Sequence, residues 1–135
     1  MSIVSAASLM QLGMAFMMMS TGNNWAFVSE GKQGAVWYVD TESLRDERDD
    51  DGQTVRRAVI KTQYAAVSAG PAKDIKRLIL FKCQDEISKT LSYTEYDSVG
   101  VETRSYAYPT PAYDAVVPGT VLASAMAKAC SIPQQ

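Results

Sequence analysis

Two cysteines in a chain without histidine set the tightest bound on what this sequence can become. Cys83 closes the run Ile79-Leu80-Phe81-Lys82-Cys83, which reads as a strand. Cys130 closes the small-residue run from Val121 to Ala129, which reads as the last helix. If the two pair, that helix is bolted to a sheet and the protein belongs where disulfides persist. The bond would close a loop of about 48 residues, which chain entropy values at roughly 4 kcal/mol. The alternative is two buried thiols behaving as small hydrophobes. The absence of histidine removes the usual proton shuttle and the commonest metal ligand. Ser-His-Asp and Cys-His nucleophile systems are thereby excluded, and zinc would have to use cysteines and carboxylates alone.

At 135 residues the chain is long enough for one domain with one core. A net charge of −2, with cations scattered among anions, gives no basic stripe for phosphates, so nucleic acid is not an expected partner. Residues 1–22 form an apolar leader, rich in Met and carrying Ile3, Val4, Leu9, Leu12 and Phe16, that turns polar at Thr21-Gly22-Asn23-Asn24. It reads as a signal peptide cut near Asn23 or as a retained hydrophobic segment, buried or in contact with a membrane. No lysine or arginine precedes its apolar part. No cysteine lies near the presumed cut, so no lipid anchor is expected there.

From residue 23 to 135 the texture is that of a single β-rich domain. Strands are expected at Trp25–Glu30, Ala35–Asp40, Thr54–Ala65, Asp74–Asp85, Lys89–Tyr96 and Val101–Tyr108. Gly31–Gly34 and Asp97–Gly100 read as turns, and Thr41–Gly52 as a solvated loop. In the third strand Ala58, Ile60, Thr62 and Tyr64 share one side, against Arg57, Lys61 and Gln63. In the fourth, Ile75, Ile79, Phe81 and Cys83 oppose Lys76, Leu78, Leu80 and Lys82, which puts the thiol on the apolar side. Short connections favour an antiparallel meander. Pro109, Pro111 and Pro118 then interrupt the ladder, having no amide hydrogen to donate. Thr120 reads as the N-cap of a helix whose stripe is Val121, Leu122, Ala125, Met126 and Ala129. The class is α+β: an antiparallel sheet of about six strands with a C-terminal helix on one face.

Candidate sites are few. Glu47, Asp49, Asp51 and Gly52 imitate the first half of a calcium loop, but Ala58 stands where the bidentate glutamate belongs, so no metal is expected. Asp85 and Glu86 adjoin a strand end, where carboxylates are mostly solvated, and no catalytic residues or cofactor are expected. Aromatic residues on strands usually serve as core or cross-strand pairs, but an exposed subset would form a recognition patch. Tyr106, Tyr108 and Tyr113, near the proline-rich corner, are the candidates for binding a protein.

These pieces together resemble the surface-adhesin protein E-like family of Gram-negative bacteria. The matching features are the Trp25-led strand, Trp37-Tyr38-Val39-Asp40 with Ser43-Leu44, and the strand ending at Tyr64. They continue with Lys82-Cys83, Tyr93 to Tyr96, Val116-Val117-Pro118-Gly119-Thr120 and the terminal Ala129-Cys130. The resemblance implies a six-stranded antiparallel sheet with its helix held by a disulfide between Cys83 and Cys130. It also implies an extracytoplasmic, non-enzymatic module that binds a host or envelope protein or a copy of itself. Membrane contact would come only through the N-terminal segment if it is retained. A structural subunit of an envelope assembly or filament is the alternative role.

Overall fold

The computed structural model describes residues 24–66, 71 and 73–133, and the leader at 1–22 lies outside them. The strands are β1 (Trp25–Glu30), β2 (Val36–Asp40), β3 (Arg45–Arg48), β4 (Thr54–Tyr64), β5 (Lys73–Lys82), β6 (Ile87–Tyr96), β7 (Glu102–Ala107) and β8 (Asp114–Ala115). Helix α1 (Val121–Ser131) follows. All pairings are antiparallel, in the order β1-β2-β4-β5-β6-β7, with β3 beside β4 and β8 beside β6. The six expected strands are all present, and the class is α+β.

The two additional strands complete broken edges. The expected loop Thr41–Gly52 contains β3, which continues the β2 side of β4 after an interruption at Asp40–Leu44. Its charged composition concealed it. In the fold those charges are cross-strand partners: Arg56 with Asp46 at 2.7 Å and Arg57 with Glu47 at 3.3 Å. After the prolines, β8 likewise rejoins β6 at Ile87 and Ser88, beyond the stretch that β7 covers.

Register assigns the faces. Val39, Ile60, Arg77 and Tyr93 lie in one cross-strand row, and Tyr38, Lys61, Lys76 and Thr94 in another. Successive side chains alternate, so the first row faces the helix and the second faces away. On the helix side Val39, Leu44, Ala58, Ile60, Ile79 and Phe81 enclose Ala125 and Ala129 in a buried cluster, flanked by Trp37, Leu122, Met126 and Cys130. The alanines let the helix backbone approach the sheet closely, as the sequence stripe requires. Helix α1 packs on β1, β2 and β4. It does not roof the whole sheet, because the far strands β6 and β7 lie beyond its width.

Three devices fix the helix. Thr120 Oγ1 accepts from the Ala123 amide at 3.1 Å, the N-cap expected from sequence. Cys83 and Cys130 form a disulfide, with Cα atoms 6.0 Å apart. The strand ends at Lys82, not Asp85, so Cys83 opens the following turn while keeping the helix-side direction that alternation gave it. Finally, the Arg56 guanidinium donates to the carbonyls of Ala129 at 3.0 Å and Ile132 at 2.5 Å. A cation there suits the negative end of the helix dipole.

Candidate functional site

The acidic loop is a turn before it is anything else. Asp49 Oδ1 accepts from the amides of Asp51 and Gln53, and the Gly52 amide bonds the Asp49 carbonyl at 2.9 Å. Asp97 does the same for Val99, Val101 and Gly100 in the β6–β7 hairpin. Both Asp-x-x-Gly turns end on a glycine with positive φ, 78° at Gly52 and 88° at Gly100. The calcium-like spacing is therefore the signature of an Asx turn. Among the described residues no group of three or more Cys, Asp or Glu could hold a metal ion.

The first of these turns differs in what surrounds it. The Asp49 side chain is only 4% exposed, so the loop is not wholly solvated; Lys82 Nζ lies 3.1 Å from its Oδ2 and 3.7 Å from Asp51. Tyr113 donates its hydroxyl to the same Asp49 oxygen at 3.3 Å. The ammoniums of Lys82 and Lys89 lie 4.3 and 4.5 Å from the Tyr113 ring centre. Burial works to raise the Asp49 pKa, but the Lys82 hydrogen bond and the Gln53 and Asp51 amides outweigh it and hold the carboxyl below its ordinary 3.8. The Asp49 hydrogen bond raises Lys82 in turn. Burial, reinforced by the Asp49 charge, pushes the Tyr113 phenol up to about 12. The cluster is a clamp that ties the chain after the prolines to the β3–β4 turn.

A second aromatic set crosses the face away from the helix. Lys61 Nζ lies 4.4 Å from the Trp25 ring centre and 5.0 Å from that of Tyr38. Lys76 Nζ lies 5.5 Å from Trp25 and 4.7 Å from Tyr96. Burial lowers the Lys61 pKa, offset in part by Asp74 and Asp40. Tyr38 also donates to Gln63 at 3.3 Å and meets the exposed ring of Phe27 edge-on. Trp37, on the other face, packs in the core beneath the Arg77 guanidinium. These rings are engaged by their own protein.

The third set lies on the helix side, over β6 and β7. Tyr106 and Tyr108 meet edge to face at 5.0 Å, and Tyr93 lies 5.8 and 6.2 Å from them. Tyr106 is 46% exposed and Tyr108 40%. All residues of β7 are exposed. The tyrosine hydroxyls that hydrogen-bond are those of Tyr38 and Tyr113, so the hydroxyls of Tyr93, Tyr106 and Tyr108 have no partner among the described residues. Beside the trio runs a cleft of about 520 Å³ between the proline corner and α1, lined by Tyr108, Pro109, Pro111, Asp114 and Leu122 among others.

The structure thus brings Tyr106 and Tyr108 together and adds Tyr93. It places Tyr113 in the clamp on the opposite face. Counting outward from the Asp97–Gly100 turn sets 93 opposite 104; a register shift between Glu95 and Tyr96 slides the strands and puts Tyr93 opposite Tyr106. Asp85 and Glu86 lie exposed in the turn after β5. Among the described residues no helix is long and apolar enough to cross a membrane.

The family model described as Surface-adhesin protein E matches residues 25–131. The chain belongs to the surface-adhesin protein E family. The match runs from the first residue of β1 to the last of α1, so the sheet, the bolted helix and all three aromatic sets fall inside it. Membership supports an adhesin-like role at the surface and an extracytoplasmic location, where a Cys83–Cys130 disulfide would persist. No curated protein and no solved structure matches this adhesin-family chain.

Proposed function

We propose that this chain is an exported, non-enzymatic binding module of the bacterial envelope that engages another protein through the β6–β7 surface. The observation that supports this reading is the Tyr93–Tyr106–Tyr108 trio, two of whose members are 40% or more exposed while their hydroxyls have no partner among the described residues. Large amphipathic rings held rigid by a sheet are the side chains that dominate binding hot spots. Tyr113 contributes indirectly, by fixing the chain that follows the proline corner. The family supports the adhesin role, and the disulfide fits export.

The test uses cells producing the full chain, with surface exposure read by protease treatment of intact cells and adhesion read on immobilised extracellular proteins. Surface-exposed wild type that adheres, and a Tyr106→Ala, Tyr108→Ala variant equally abundant and oxidised that does not, is the expected result. A reduced chain confined to the cytoplasm overturns export. Adhesion indifferent to the double substitution overturns the site.

A further inference from the structure

We propose that the cleft beside the tyrosine trio takes a proline-rich, extended segment of a partner protein, with a basic residue of that segment set against Asp114. This rests on the reading of Tyr106 and Tyr108 as the binding surface and names the chemistry that surface would recognise.

The argument starts from the lining. Among the described residues around the cleft, Asp114 is the only charged one; the rest are Tyr108, prolines, alanines, Leu122 and small hydroxyl residues. Asp114 is exposed and forms no ion pair among the described residues. A trough of prolines, alanines, hydroxyl side chains and the Tyr108 ring, with one carboxylate unpaired among the described residues, complements a ligand that offers apolar rings, free carbonyls and one cation. Proline-rich segments meet the remaining requirements. Their polyproline II backbone has no internal hydrogen bonds, so its carbonyls need external donors. The Tyr108 hydroxyl, which lines the trough and has no partner among the described residues, is such a donor. Pyrrolidine rings pack on aromatic faces, and the segment is already extended before binding, so little order is lost on docking. The trough walls are themselves rigid: Pro109 and Pro111 have fixed φ, and the β8 pairing and the Tyr113 clamp hold the chain beyond them. The lysine-covered rings of Trp25, Tyr38 and Tyr96 offer no comparable surface, because a ligand would first have to displace the cations.

The probe is a fluorescent oligoproline peptide flanked by arginine, titrated against the oxidised full chain and followed by anisotropy. A peptide with Gly and Ser in place of the prolines is the control. The expected result is saturable binding of the proline peptide and none of the control. Tyr108→Ala should weaken it by at least about tenfold, and Asp114→Asn by about two- to fivefold at low salt. Tyr108→Phe, which keeps the ring and removes the donor, should fall between wild type and Tyr108→Ala. Circular dichroism confirms that each variant folds. Equal behaviour of the two peptides, alongside adhesion that still depends on Tyr106 and Tyr108, overturns the proline ligand and leaves the adhesion surface standing. Adhesion independent of those tyrosines overturns both. A concentration-dependent dimer that dissolves in the double tyrosine variant assigns the cleft to a second copy and also overturns the proposal.

Discussion

Tyr108 and Tyr113 lie on either side of the same proline corner and end in opposite circumstances. Tyr113 has its hydroxyl on a buried carboxylate and two ammoniums against its ring. Tyr108 touches two other tyrosines and, through its hydroxyl, nothing else in the described protein. Residue type and sequence position are nearly the same; the side of the sheet is not. What separates a structural tyrosine from a recognition tyrosine here is whether its faces and its hydroxyl are already engaged from within. Exposure alone does not make that distinction, since the exposed Phe27 belongs to an engaged set.

The largest effect is expected at the bolt that frames both regions. Cys83 directly follows Lys82 of the Tyr113 clamp, and Cys130 lies in the last turn of the helix whose Leu122 lines the cleft beside Tyr108. Replacing both cysteines by serine should cost about 4 kcal/mol on the loop-entropy estimate, read from denaturant midpoints. If the helix wall shapes the cleft, peptide binding should weaken in the same variant under conditions where it remains folded. An unchanged midpoint would mean that the core and Arg56 hold the helix unaided.

Next comes the clamp, which should reveal itself in pH. The folded Asp49 pKa lies below 3.8, so its contribution is complete above that value and is lost as pH falls through the folded pKa. Lys82 and Tyr113 move the other way. Their contributions are complete below the ordinary values of 10.5 and 10.0 and fade as pH climbs toward the raised ones, about 12 for Tyr113. Stability should therefore be flat from about pH 4 to 10 and fall on both sides as far as these groups set it. Tyr113→Phe should cost about 1 kcal/mol and delete the late phase of the phenolate absorbance titration. A titration in which every tyrosine ionises near pH 10 would remove the clamp from the comparison.

A smaller effect belongs to the lysine-covered face. Lys61→Met removes the ammonium over Trp25 and Tyr38 and should cost about 0.5–1 kcal/mol. Quenching of tryptophan fluorescence by iodide or acrylamide should then rise, because a face of Trp25 becomes accessible. No change in quenching would show that the cation does not cover the ring in solution.

Much of this molecule could be read from the chain, and the limits have physical causes. The strands and the helix followed from period-2 and period-3.6 patterns, and the helix stripe at Ala125 and Ala129 is the buried one. The face of Cys83 followed from alternation with Ile79 and Phe81. The short strands β3 and β8 did not. Each is held by pairing with a longer neighbour and not by its own composition: Arg45–Arg48 is wholly charged, and Asp114–Ala115 is a two-residue contact. The site was legible to the same degree. That β6 and β7 form a hairpin is local and legible, but Tyr93 meets Tyr106 only because the register shifts between Glu95 and Tyr96, which the turn alone does not announce. Tyr113 on Asp49 joins residues 64 positions apart, after a proline corner whose direction no local rule sets. Nothing in the sequence distinguishes Lys82 as the partner of Asp49 from the other lysines of its face.

The smallest effect on folding should accompany the largest effect on function, and that inversion is the sharpest test of the comparison. Tyr106 and Tyr108 sit on an edge region, and truncating either to alanine removes about 0.2–1 kcal/mol of cross-strand contact. Midpoints should move little, and less than the cysteine pair moves them. Adhesion should nonetheless be lost, because an exposed tyrosine whose hydroxyl has no partner among the described residues contributes mainly to what it binds. Tyr113→Ala should show the reverse, with a clear loss of stability and an adhesion defect only in proportion to that loss. If instead Tyr106→Ala and Tyr108→Ala unfold the domain, the trio is part of the core and the division between engaged and available aromatics fails. If they are silent in both assays, the division survives as a description of packing, and the recognition surface must be sought elsewhere on the sheet.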